Sequence, residues 1–120
     1  MAYKYSSVAH IEFCYQHGVG YRKQQLAALI YLLGVLRVTR EHIVDIFDMD
    51  NEVIKPECLK KAWVTLMARR TIMLAYNLYC DWMPDEYPED CSPSALFDND
   101  KIREFMLQSV MIRYKNEKQV

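Results

Sequence analysis

The sequence predicts an all-α fold: an irregular bundle of about five helices around a long central helix at about residues 56–82. Three observations lead there. Residues 56–82 read PECLKKAWVTLMARRTIMLAYNLYCDW, with no glycine or proline after the first position. Their apolar members Leu59, Ala62, Trp63, Leu66, Ile72, Met73, Tyr76 and Tyr79 recur at helical spacing. Residues 26–36 form a second apolar run, broken only by Gly34, and the whole chain holds only three glycines, too few for a turn-rich β-sandwich.

Taken in order, helix one is expected at about residues 7–17, with Ser6 or Ser7 as cap and Gly18 as terminator. Helix two follows the Gly18–Gly20 joint, at about residues 21–36, with Leu26, Leu29, Ile30, Leu33 and Leu36 inward. Thr39 reads as the N-cap of a short third helix, residues 40–47, ended by a turn at residues 48–51. A short extended piece, residues 52–55, leads to the long helix, where Pro56 supplies a helical φ and gives up an N–H that has no helical partner. About 26 residues would span roughly 40 Å. Met83-Pro84 stops it. Ser92-Pro93 starts one turn holding Leu96 and Phe97, and Asp98 is expected to cap the last helix, about residues 99–115. That helix turns Ile102, Phe105, Met106, Ser109 and Ile112 or Arg113 inward, and residues 116–120 are expected to fray.

At 120 residues the chain suits a single helical domain, residues 1–120, with a core that needs no staples. A net charge of −1 gives neither the basic field of a nucleic-acid binder nor the acidity of a nucleic-acid mimic. Residues 26–36 are too few to span a bilayer, and the N-terminal residues lack the apolar core of a secretion signal. The chain is therefore expected in the cytoplasm, with Cys14, Cys58, Cys80 and Cys91 reduced. Seven methionines, nine tyrosines and the apolar circumference near residues 74–82 suggest a homodimer.

Three groups of residues and two single residues invite a chemical reading. Residues 81–90, DWMPDEYPED, are acidic, aromatic and stiffened by proline. They suit contact with a basic protein surface, with Asp85, Glu86, Tyr87, Glu89 and Asp90 as contacts and Trp82 as an anchor or a core plug. The plainer reading is a solvated loop. Lys60, Lys61, Arg69 and Arg70 offer a basic patch for phosphate, or else an ordinary charged face. His10, Cys14 and His17 share one helix face and carry zinc-ligand chemistry, but a fourth ligand is not nearby in sequence, and the plainer reading is ordinary helix residues with no metal. Cys58, near a helix start, is a candidate low-pKa thiol, and more simply a buried structural one. Asn77, amid apolar neighbours, reads as a hydrogen-bonding core residue. A phosphate loop, a nucleophile elbow and an HExxH motif are all missing, so neither enzymatic chemistry nor a cofactor is expected.

Several blocks in a fixed order carry a resemblance. Ile54, Pro56, Glu57, Leu59 and Trp63 form an IxPExL start with a tryptophan four residues on. Residues 74–79 read LAYNLY, residues 92–97 give SPxxLF, and Ile112, Arg113 and Tyr114 close the pattern. Over its C-terminal two-thirds the chain resembles a family of small, functionally unassigned proteins of bacteriophages, prophages and Firmicutes-type mobile elements. The resemblance implies a genomic setting more than a mechanism. Small phage proteins without catalytic motifs commonly act by binding, so the leading expectation is an inhibitor of a host defence component such as a CRISPR effector. Its partner would be a host or phage protein, for instance one with a basic nucleic-acid-binding groove. A phage structural or regulatory nucleic-acid-binding module is the alternative, and a metal-binding domain built on His10, Cys14 and His17 is the second.

Overall fold

The computed structural model describes residues 3–115. Among these the chain forms seven α-helices: α1 (Val8–Gln16), α2 (Gln24–Leu33), α3 (Arg37–Glu41), α4 (Ile43–Ile46), α5 (Leu66–Cys80), α6 (Pro93–Leu96) and α7 (Arg103–Arg113). An antiparallel hairpin, β1 (Phe47–Asp48) with β2 (Val53–Ile54), pairs Phe47 with Ile54 and Asp48 with Val53. Three 3-10 turns lie at Val19–Tyr21, Pro56–Lys60 and Pro88–Cys91. The body is mostly helical, as the spacing predicts, with the hairpin an addition to it. The expected fraying of residues 116–120 lies outside the described residues.

The central helix is α2, not residues 56–82. Every residue from Leu26 to Leu33 is buried. A helix that is apolar all round must be covered all round. Here α5 and α7 pack along it, and α1 and the Val19–Tyr21 turn cover more of its circumference. Each fully buried Leu or Ile contributes roughly 1.5–3 kcal/mol.

Burial of α2 creates a second demand at its C-terminal end, where the last carbonyls have no helical partner. Side chains meet it. His10 Nε2 donates to the Tyr31 carbonyl (2.8 Å), the Thr39 hydroxyl to that of Leu33 (2.5 Å) and Arg40 Nη1 to that of Gly34 (2.8 Å). The Ser6 hydroxyl donates to the Val35 carbonyl (2.7 Å). Thr39 thus closes α2 from inside α3, which starts at Arg37, and is not the N-cap expected of it. α2 itself is shorter than the helix expected at about residues 21–36: Val19–Tyr21 winds as a 3-10 turn and Arg22 is extended before it, and it ends at Leu33.

The expected long helix is broken. Pro56–Lys60 is a 3-10 turn, Lys61 is extended, and α5 begins only after Thr65. The reason is local. Val64 and Thr65 are consecutive β-branched residues, unfavourable within a helix. The Thr65 hydroxyl instead accepts the Ala68 N–H (3.0 Å) as a cap. Trp63 stacks flat on His42, centroids 4.1 Å apart and planes at 5°, which fixes the break against the α3–α4 corner. From α5, the buried Tyr76 hydroxyl donates to the Ile46 carbonyl (2.6 Å) and lies 3.4 Å from Cys58 Sγ. That one ring ties the hairpin base and the 3-10 turn to the core.

Other elements follow the sequence more closely. Ser7 caps α1 by accepting the His10 N–H (3.1 Å), Gly18 takes a left-handed φ of 71° after it, and Ser92 caps α6. Asp48 Oδ1 accepts the Asp50 N–H (3.0 Å) and the Asn51 N–H (3.1 Å), which sets the turn of the hairpin. The last helix starts at Arg103, four residues late. Asn99 uses its side chain to accept the Lys101 N–H (2.9 Å), a local alternative to helix. The predicted inward face is buried at Ile102, Phe105, Met106, Ser109 and Ile112. Among the described residues no helix is long and apolar enough to cross a membrane.

Gly34 sits where α1 crosses the end of α2. A Cβ there would stand 2.7 Å from the Phe13 ring and 2.8 Å from His10 Cδ2. Its φ of −80° is ordinary, so the constraint is space alone. Gly34→Ala is expected to cost about 1–3 kcal/mol in urea denaturation, by overpacking. Gly20→Ala is the control, since nothing lies within 4 Å of a Cβ built there.

Candidate functional site

The acidic segment starts where α5 ends. Asp81 takes a left-handed φ of 60° and closes the helix with its N–H on the Asn77 carbonyl (2.8 Å). The Asn77 side chain donates to the Trp82 carbonyl (3.2 Å), so the amide expected in the core holds the loop's first residues. Trp82 is half-buried, its ring edge-on to Tyr76 with centroids 5.3 Å apart. Of the two roles open to it, the core plug is what this packing matches, with part of the ring left in solvent.

At the far end the 3-10 turn Pro88–Cys91 brings Asp90 back onto α5. Its carboxylate is buried between two guanidinium groups. Arg69 donates to Oδ2 through Nε (3.1 Å) and Nη2 (2.8 Å), and Arg70 donates to Oδ1 through Nε (3.0 Å). Arg70 also reaches the Ala95 carbonyl (3.2 Å). The Arg69 guanidinium lies 4.1 Å from the centroid of the Tyr87 ring. Burial alone would raise the Asp90 pKa, but the hydrogen bonds and charges of the two arginines outweigh it and hold the carboxyl below the ordinary range.

The acidic loop and the basic patch are thus halves of one ion cluster. Asp90 is 3% exposed and offers a partner no free carboxylate, contrary to its expected role as a contact. Arg69 and Arg70 are turned to Asp90, and Lys60 Nζ lies 3.8 Å from Glu86 Oε1. The four cations therefore do not form a common free face, and only Lys61 of them has none of these pairings. Asp85, Glu86 and Glu89 remain exposed.

Beside the loop stands the Pro56–Lys60 turn, which the sequence placed inside a helix. Between the two lies a groove of about 260 Å³. Its half-buried lining is apolar or aromatic: Pro56, Leu59, Trp82, Pro84 and Tyr87. Its exposed lining is charged: Glu57, Lys60, Asp85 and Glu86. Sequence reading missed the wall formed by Pro56, Glu57 and Leu59 as part of a site, although the IxPExL block singled those residues out. A larger hollow of about 510 Å³ opens near the start of α2, among Arg22, Lys23, Glu52 and Tyr79. Its Arg22 guanidinium is already turned to the His17 carbonyl (3.1 Å) and to Glu52 (3.8 Å).

The metal candidates are not brought together as ligands. His10 uses both ring nitrogens: Nε2 donates to Tyr31, and Nδ1 accepts the Ser6 N–H (3.0 Å). Its pKa is lowered to about 4 by burial, aided by the charge of Arg40 and opposed by the Tyr31 hydrogen bond. Burial pushes the Cys14 thiol up to about 12. His17 packs on Phe13 at 4.5 Å between centroids, its pKa lowered by burial and by Arg22. Among the described residues no group of three or more His, Cys, Asp or Glu is placed to hold a metal ion. Cys58 is also buried, and desolvation raises its pKa, opposite to the direction a helix start suggested. The apolar residues near 74–82 that suggested a dimer are covered within the chain: Leu74, Ala75, Tyr76 and Leu78 are buried.

Two stability measurements follow. Asp90→Asn leaves two adjacent guanidinium groups without their counter-charge. It is expected to cost about 3 kcal/mol in urea denaturation, the low end for a buried ion pair because both arginines keep some solvent. Hydrogen exchange should rise across residues 81–92. For His10, the folded pKa lies below the unfolded 6.5, so the unfolded chain binds the proton first. Stability is expected to fall by about 3 kcal/mol as pH drops from about 6.5 to about 4. His10→Gln should lower stability at neutral pH and flatten the dependence over that window.

Comparison with known proteins gives one family. No curated protein and no solved structure matches the chain. With a match that runs over residues 2–120 and so includes the N-terminal part outside the resembling blocks, the chain belongs to the family of unknown function DUF6075.

Proposed function

We propose that this protein acts by binding a partner protein, using the acidic and aromatic face formed by residues 82–89 and the Pro56–Lys60 turn. The observation that carries the reading is the Asp90 clamp. It fixes the far end of a short proline-containing loop to α5, as the Asn77 side chain fixes its beginning, while leaving Asp85, Glu86 and Glu89 in solvent. A loop held in one shape loses little entropy on binding, and its aromatic rings supply contact area. The negative field favours a basic partner and speeds encounter with it.

Within this reading the partner is a host protein with a lysine- and arginine-lined groove, and the protein blocks that groove. A small phage-type inhibitor of a host defence component, such as a CRISPR effector, is the form that the sequence resemblance favours. Such a protein makes and breaks no bonds of its own. The nucleic-acid alternative stands behind it, since Arg69 and Arg70 face Asp90.

The test reverses Asp85, Glu86 and Glu89 to lysine and leaves Asp90 in place. Wild type and variant serve as paired baits in host extract, and any captured protein is purified and titrated against both. The reading expects a partner bound by wild type, weakened at least tenfold by the reversal and by raised salt, with the denaturation midpoint little changed. A partner held equally by both proteins removes this face from the interface. A mobility shift with plain duplex or single-stranded nucleic acid at low salt, lost in Lys61→Glu, would favour the alternative.

A further inference from the structure

Resting on that reading, we infer that the groove between the Pro56–Lys60 turn and the loop seats a single arginine side chain projecting from the partner. Its size argues first. At about 260 Å³ it lies below the roughly 300–1,000 Å³ of small-molecule sites, so it suits one long side chain better than a cofactor or metabolite. Its chemistry argues second. The half-buried floor is apolar, with Leu59, Pro84 and the Trp82 ring among its parts, and the exposed rim carries Glu57, Asp85 and Glu86. A side chain with an apolar stem and a cationic head matches both levels at once.

Arginine fits better than lysine. Its guanidinium is flat, weakly hydrated and able to stack on aromatic rings while donating to two carboxylate oxygens. The molecule already shows the pairing: the Arg69 guanidinium lies 4.1 Å from the centroid of Tyr87, one of the lining residues. Lys60 acts as a placeholder on the rim. Its ammonium lies 3.8 Å from Glu86, and both side chains are more than half exposed. An exposed pair of this kind is weak, so an incoming guanidinium displaces it readily.

The experiment titrates the whole protein with blocked arginine (acetylated and amidated) and follows the Trp82 indole N–H by NMR, assigned through Trp82→Phe. Blocked lysine and blocked citrulline, the neutral isostere, run in parallel. The inference expects a saturable shift with arginine, a weaker response with lysine and none with citrulline. Lys60→Gln should tighten arginine binding by about twofold to fivefold, by removing the competing cation. Glu57→Gln combined with Asp85→Asn should abolish it, and these residues are exposed, so folding is expected to survive. Tighter binding in Lys60→Gln separates ligand competition from a structural role, because loss of a mere ion pair would not improve affinity. A citrulline response equal to that of arginine, or a response unchanged by the double variant, overturns the inference. Lysine binding as tightly as arginine overturns the choice of side chain. If arginine fails to seat while partner capture still depends on Asp85, Glu86 and Glu89, the groove inference falls and the binding face stands. If arginine seats and capture ignores the reversal, the proposed function falls instead.

Discussion

The dry C-terminal end of α2 is the constraint from which the rest of the structure follows. Covering a helix on every side gains hydrophobic free energy, but it also removes water from the carbonyls that a helix leaves unpaired at its end. Each such carbonyl left bare would cost on the order of 1–3 kcal/mol. Donors from three separate stretches answer the demand: Ser6 and His10 from the N-terminal stretch and α1, and Thr39 and Arg40 from α3. The contact with His10 is possible because Gly34 has no side chain in the way. A histidine that looked like a zinc ligand is, in its surroundings, a neutral cap for a helix terminus. The close crossing of α1 over α2 goes with that role, and its low pKa comes from the burial that the role requires, against the opposing Tyr31 hydrogen bond.

This constraint also explains which parts of the fold were legible in the sequence. Local signals read well: Ser7, Gly18, Ser92 and the Asp48 turn each act on backbone groups a few residues away, and the inward face of α7 follows simple periodicity. The choice of central helix did not. Length made residues 56–82 look like the rod, whereas burial on all sides, written in residues 26–33, was the stronger sign. The break at residues 61–65 depends on Trp63 finding His42, a contact between segments twenty-one positions apart that no window of local sequence contains. Thr39 was recognised as a capping residue and assigned to the wrong terminus, because the carbonyls it serves precede it in the chain.

The pairing of the acidic loop with the basic residues failed to show in the sequence for a related reason. Acidic residues 85–90 and basic residues 60–70 read as two opposite patches, each inviting its own partner. Folding sets them against each other. A carboxylate as buried as Asp90 would be strongly penalised alone, and two guanidinium groups with three hydrogen bonds between them make its burial tolerable. The basic patch then loses its sequence-level meaning, and the acidic one keeps its own only in part. The arginines become part of the scaffold, and the acids divide into one structural residue and three exposed ones. The signal that could have predicted this was Pro84 followed by Pro88, a few residues past the end of α5 at Cys80, where a short loop returns along the helix it has just left.

The same division supports a binding role. A flexible acidic tail would present more charge than this loop does, but it would have to be ordered whenever a partner arrived, at a cost per residue of about 1–2 kcal/mol in lost backbone freedom. Here Asn77 holds the loop's beginning and Asp90 its end, and Tyr87 takes a left-handed φ of 59° beneath Arg69, so most of that ordering is already complete in the free protein. The exposed carboxylates are carried on a shaped surface with an apolar floor beside them. Charge alone would attract any basic molecule. Charge at a fixed distance from a floor that admits only a long, thin side chain discriminates among them, because a partner lacking that side chain leaves the floor wet and the rim acids paired only with solvent and Lys60.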